Sequence, residues 1–143
     1  MSLQTSKTIL KIMGIIGIIF GIFGIIAAIL ILVGGGLLGA VVAADGTAEA
    51  GVTVGGVVVV VGIVALISAV VTLIEGICSF KASKDTSKIG PAWVFALIGI
   101  VFAVISLILA IVNNGSIASS IFSVAINALV FVAANTIKKS NAE

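Results

Sequence analysis

The sequence has no histidine, no tyrosine and no arginine, its seven basic residues all being lysine. It has one cysteine, Cys78, and one proline, Pro91. Each shortage excludes something. A single thiol allows no intrachain disulfide, so the fold does not depend on redox state. Without histidine, a cysteine pair or clustered carboxylates there is no donor set for a metal. No Ser/His or Cys/His couple exists for nucleophilic catalysis. The glycine run Gly34-Gly35-Gly36 is not followed by the Gly-Lys-Ser/Thr of a phosphate loop. The turns away from the lysines offer only Asp45, Glu49 and small polar groups. The expectation is therefore no enzyme, no cofactor and no nucleic-acid partner.

Charge itself is scarce, at 8% of 143 residues against 62% hydrophobic. A soluble domain carries about three times that share of charge. A chain this apolar cannot hide its surface from water by folding on itself, so the bilayer is its expected solvent. By length it is a single domain, 1–143.

The organising stretch is Ile12 to Val33, IMGIIGIIFGIFGIIAAILILV, which carries no charge. About 20 apolar residues cross a hydrocarbon core of roughly 30 Å. Gly14, Gly17, Gly21 and Gly24 step by three, four and three, which at about 100° per residue puts them within roughly 80° on a helix. Ala28 and Gly35 share that sector. Lys7 and Lys11 before an apolar run resemble the start of a signal peptide. An h-region runs about 7–15 residues, and this run is longer, so a retained first span is expected.

Four spans are predicted, at about 12–33, 54–78, 91–112 and 117–137. Residues 1–11 read as a polar arm. The glycine run at 34–36 predicts a kink or unwinding, since each helical glycine costs roughly 1 kcal/mol against alanine. Residues 45–51 form a turn, and the valine-rich 52–56 reads as helix because in lipid only a helix satisfies its own backbone. The segment 79–90 is a lysine-bearing loop. Pro91 suits a first helical turn, and Trp93 an interface. Asn113 to Ser116 predicts a tight turn with Gly115 as C-cap and Ser116 as N-cap.

Every span carries a small-residue stripe. In span 2, Gly55, Gly62, Ala69 and Gly76 repeat every seven, with Ala65 and Thr72 between them. Ala92, Ala96, Gly99, Ala103, Ser106 and Ala110 share a face of span 3, and Ser119, Ser120, Ser123, Asn127 and Ala134 a face of span 4. In lipid, helices associate by close packing rather than by the hydrophobic effect, and such spacing predicts left-handed crossings near +20°. Leucine at Gly17 and Gly21 should then separate the helices or the oligomer.

Lys7, Lys11, Lys81, Lys84, Lys88, Lys138 and Lys139 all fall in alternate connections or at the ends. The positive-inside rule makes those segments, and both termini, cytoplasmic in the cell membrane. The three lysines of 79–90 also fall at helical spacing, which allows a short amphipathic turn on anionic headgroups; the favoured expectation is a topology signal and an anchor.

Four polar residues stand out inside the spans. Glu75, expected close to the cytoplasmic end of span 2, opposes the helix dipole and calls for a partner, Lys11 first and Lys138 second. Asn127, near the middle of span 4, calls for a hydrogen bond to Ser68 or Ser106. Cys78 is expected as a buried free thiol, with juxtamembrane acylation the other reading.

The run TILKIMGIIGIIFGIFG, a second glycine-bearing span and a lysine-rich hairpin before Gly-Pro-Ala-Trp together resemble small bacterial four-span membrane proteins of unknown function. Their organisation is claudin-like or tetraspan-like. The chain lacks the paired extracellular cysteines and tryptophan motif of claudins and the Cys-Cys-Gly of tetraspanins, and the resemblance implies no activity.

The expected protein is all-α, a four-transmembrane-helix bundle with N- and C-termini cytoplasmic. Its expected role is structural, with lipids and a second copy or another membrane protein as partners. The apolar surface of 34–44 with 52–57 is the expected contact. The alternative is a small ion- or proton-coupled transporter or channel subunit using Glu75 and Asn127.

Overall fold

A computed structural model describes the backbone of residues 1–44 and 48–143, and the side chains outside 38–43, 45–52 and 54. The chain is all-helical: α1 (Leu3–Ala44), α2 (Ala48–Lys84), a 3-10 turn (Thr86–Lys88), α3 (Ile89–Val112) and α4 (Ile117–Ala142). Four segments are long and apolar enough to cross a membrane: Leu3–Leu37, Gly55–Lys84, Thr86–Val112 and Ile117–Ala142. The all-α membrane class read from the sequence is the observed one.

The helices overrun the predicted spans, and several expectations change with them. Residues 1–11 are not an arm, because α1 begins at Leu3 and buries Ser6 and Leu10. The lysine-bearing 79–90 segment is mostly helix: α2 runs to Lys84, and Asp85 alone separates it from the 3-10 turn. Nor does α1 unwind at Gly34–Gly36. Gly35 is buried there against Val58, while Gly34 and Gly36 face open space. Packing at the middle glycine, with no water in lipid to replace a broken backbone bond, holds the helix. The predicted turn at 45–51 lies outside the described residues over 45–47, and α2 already begins at Ala48.

The α3–α4 turn closes differently from the expected glycine cap. Asn114, not Gly115, takes the left-handed conformation, with φ 51°. Asparagine tolerates that region better than most residues. Gly115 N–H then reaches back to Ala110 O at 2.8 Å. Ser116 makes no side-chain cap; its carbonyl instead accepts from the hydroxyls of Ser119 and Ser120.

The chain divides into two compact units. One comprises Gly17–Ile74, the adjoining lengths of α1 and α2. Here the small residues of one helix meet the other. A Cβ on Gly21 would lie 2.7 Å from Leu73 Cα, and one on Gly24 would lie 2.9 Å from Ala69 Cβ. One on Gly62 would lie 2.6 Å from Leu32 Cδ2. Gly21, Ala28 and Gly35 are buried at seven-residue spacing, as are Gly62 and Ala69, while Gly17 and Gly24 are half-buried. The opposite flank of α1, with Phe20, Phe23 and Leu30, is exposed as a lipid-facing side should be.

The other unit comprises Met1–Ile16 and Glu75–Glu143, so it contains part of every helix. Its core joins Leu10 of α1, Ala82 of α2, Ile89, Ala92 and Ala96 of α3, and Val130, Ala133, Ala134 and Ile137 of α4. This is a four-helix packing of mostly alanine, with Leu10 and Ile137 filling the space between close backbones. Gly14 continues the α1 stripe here: a Cβ on it would lie 2.6 Å from Phe80 N and 2.9 Å from Gly76 O. Gly76 and Ser83 carry the α2 stripe onward. The buried hydroxyls of Ser6 and Ser83 bond to the backbone carbonyls of Ser2 and Phe80, so neither leaves a polar group unmet. On α3, Ala103 is buried while Ser106 is exposed.

Candidate functional site

Glu75 lies nine residues before the end of α2, about 14 Å along the axis at 1.5 Å per residue. It was expected at the helix end, but α2 continues past Cys78 to Lys84 and leaves the carboxyl deep. Gly99 lies ten residues into α3, about 15 Å, and Asn127 eleven residues before Lys138, about 16 Å. Three helices thus present these residues at matching distances from the lysine-bearing end.

They also meet. The place where a side chain would start on Gly99 is 2.6 Å from Asn127 Oδ1 and 4.0 Å from Glu75 Oε1. A Cβ on Gly99 would make the Asn127 amide shift. Asn127 Nδ2 donates to Ser123 O of its own helix at 2.8 Å. Since a carbonyl can only accept, that bond fixes the amide with its oxygen toward Gly99. Glu75 and Asn127 are both half-buried.

The partners expected for these two residues are not the ones found. Neither Lys11 nor Lys138 pairs with Glu75: among the described residues the one ion pair joins Lys88 and Asp85 at 3.5 Å. Lys11 is exposed, and Lys138 Nζ sits 3.4 Å from the centroid of the Trp93 ring. An aromatic face attracts a cation and is fixed close by, whereas Gly99, at the level of Glu75, lies six residues or about 9 Å further along α3 than Trp93. Asn127 bonds neither Ser68 nor Ser106; the Ser68 hydroxyl turns to Val64 O of its own helix at 2.9 Å. A local carbonyl is always within reach of a helical serine, so no interhelical tie is required.

The lysine-bearing end holds a second polar group that the sequence did not reveal. Trp93 packs obliquely on Phe131, 6.1 Å between centroids, and its buried indole N–H has no partner among the described residues. Lys84 lies over Phe80 at 4.4 Å. Asn141 Nδ2 donates to Thr86 O, tying the end of α4 to the 3-10 turn. Asp85, at the start of that turn, accepts from Ser87 Oγ at 2.6 Å and Ser87 N at 3.1 Å. Those bonds, with Lys88 beside it, hold its carboxyl below the usual carboxylate range. Lys7 is half-buried, while Lys81, Lys84, Lys88, Lys138 and Lys139 are exposed. Cys78 is a half-buried free thiol.

No group of three or more potential ligands for a metal occurs among the described residues. Four apolar helices, two of them carrying a polar pair at depth, define a multi-pass membrane protein. No family model, no curated protein and no solved structure matches the chain.

Proposed function

We propose that this protein is a structural or assembly component of the cell membrane. In this reading both termini and the lysine-bearing connection are cytoplasmic, and α1 and α2 pack against a second copy or another membrane protein. The observation that carries it is helix length. α1 has 42 residues and α2 has 37, about 63 and 56 Å at 1.5 Å per residue. A hydrocarbon core of roughly 30 Å covers about half of that. α3 and α4, at 24 and 26 residues, are much closer to a bilayer's needs.

The surplus is not polar. Leu37 and Val57 are exposed, and Gly34, Gly36 and Gly56 face open space. An open groove of about 400 Å³ on α2 is lined by Thr53, Gly56, Val57, Val60 and Val61. Apolar helix surface that outruns lipid needs another protein surface to cover it. The small-residue stripe itself is consumed between α1 and α2, so the contact belongs on this outer flank. Within the expected 34–44 and 52–57 surface, the side chains of 38–43, 52 and 54 lie outside the described residues; the part described has this character.

The test is the protein mass of the purified detergent particle. The expected result is a multiple of the 14.2 kDa chain or a stoichiometric second membrane protein. A particle containing one chain and nothing else, at concentrations matching those in the membrane, contradicts the reading.

A further inference from the structure

We propose that Glu75, Asn127 and the open face of Gly99 form a proton-binding site at mid-depth in the membrane, with the Glu75 carboxylic acid donating to Asn127 Oδ1. This is the chemistry that a small proton-coupled transporter or channel subunit requires. It is independent of the assembly reading.

The geometry around Gly99 points there. Asn127 Nδ2 is committed to Ser123 O, so an acceptor oxygen points at Gly99. Glu75 Oε1 approaches the same point. An ionised carboxylate would bring a second acceptor there and would need a cation or a bridging water, whereas the neutral acid can itself donate to Asn127 Oδ1.

The packed elements supply no fixed countercharge at that depth. On α1 the cations are Lys7 and Lys11, and on α2 they are Lys81 and Lys84. α3 has no titratable side chain from Ile89 to Val112, and α4 none before Lys138 and Lys139. Lys81, the nearest of these along the helix of Glu75, is six residues on, about 9 Å. An unpaired carboxylate near the centre of hydrocarbon is costly, whereas its neutral form needs only a hydrogen bond. Binding makes one O–H bond on the carboxylate with a proton taken from water, and no electrons are exchanged.

Hydroxyls line α4 beyond the site. From Asn127 toward the α3–α4 turn, Ser123, Ser119 and Ser116 follow at four, four and three residues, all exposed. They place a hydroxyl on nearly every turn of α4 between the site and the end of the helix.

The test uses the full chain in phosphatidylcholine vesicles, treated with dicyclohexylcarbodiimide at neutral pH. The reagent takes the proton of a carboxylic acid, adds its carboxylate oxygen at carbon, and rearranges to a stable acylurea that peptide mapping locates. Only a carboxyl that already carries its proton reacts in this way, so Glu75 should label at least about tenfold faster than the exposed Asp85 or Glu143. Excess sodium chloride should leave that rate unchanged. Glu75 unlabelled, or protected by sodium, overturns the proton site. In the infrared, the neutral carboxyl band should vanish in Glu75→Gln and shift in Asn127→Leu. A band unmoved by the second variant overturns Asn127 as the partner. The wild-type labelling result stands even if a variant fails to fold.

Discussion

Gly21→Leu is expected to separate α1 from α2, with a loss of about 3 kcal/mol or more in thermal or chaotrope unfolding of the detergent-solubilised protein. The added Cβ would fall 2.7 Å from Leu73 Cα and 2.8 Å from Leu73 N. These are backbone atoms, so no rotamer change relieves the clash; the helix axes must move apart. Moving them weakens every close approach along the stripe, Gly24 on Ala69 and Gly62 on Leu32 included. Leucine also gains roughly 1 kcal/mol in helix propensity over glycine, which opposes the loss but is smaller. Gly34→Leu separates the two terms. Gly34 has nothing of its own chain within 4 Å, so for α1 on α2 within one chain only the propensity gain acts, and the unfolding stability of the dissociated chain should be unchanged or rise by up to about 1 kcal/mol. The two substitutions are chemically identical, yet only the one at Gly21 should destabilise. Equal effects would mean that the stripe is not a contact.

The second large effect is expected from the four-helix core near the lysine-bearing end. Leu10→Ala should destabilise by about 2 kcal/mol, measured in the same way. Leu10 is fully buried, 0% exposed, among the alanines of α2, α3 and α4 that let the helices come close. In lipid the unfolded reference is itself apolar, so the transfer part of a leucine-to-alanine loss is small. What remains is the cavity and its lost dispersion contacts, which alanine neighbours cannot refill. Phe20, at 68% exposed, is the contrast. Its larger truncation, Phe20→Ala, removes a ring that faces outward and should change stability by no more than about 0.5 kcal/mol. In a soluble protein the exposure of such a ring would be the anomaly, and here it is the normal lipid-facing surface.

The stripe was legible in the sequence because a period of three and four residues is a property of one helix. Gly14, Gly21, Ala28 and Gly35 fall on one face whatever they touch, and that face is the buried one. The helix ends were not legible. Apolarity marks where lipid lies, whereas a helix ends where its backbone bonds do. Ser79 to Lys84 stay helical because lysine stems extend outward to water while the buried faces of Ser79, Ala82 and Ser83 pack inward. That six-residue overrun is why Glu75 lies deep rather than at an interface.

The polar residues show the same division. Glu75 and Asn127 were identifiable one by one as polar residues in apolar helices. That they converge on Gly99 depends on the relative register of α2, α3 and α4, and register is set by packing across helices that are far apart in sequence. Lys11 as the partner of Glu75 and Ser106 as the partner of Asn127 would need depths and rotations that the packing of α1, α2, α3 and α4 near the lysine-bearing end does not adopt. Gly99, read only as a packing glycine, turned out to be where the acid and the amide meet. Lys138 on Trp93 had a readable ingredient in each residue and none in their pairing.

The central claim is that the small residues of α1 and α2 face each other, and paired cysteines test it most directly. With Cys78 replaced by alanine, Gly24→Cys and Ala69→Cys would put the two Cβ atoms about 3 Å apart, a small adjustment from disulfide geometry. Mild oxidation in native membranes should then form an intrachain disulfide rapidly, while Phe23→Cys with Ala69→Cys, its first partner on the exposed flank of α1, should not. Cross-linking of the second pair in preference to the first would contradict the packing of α1 on α2.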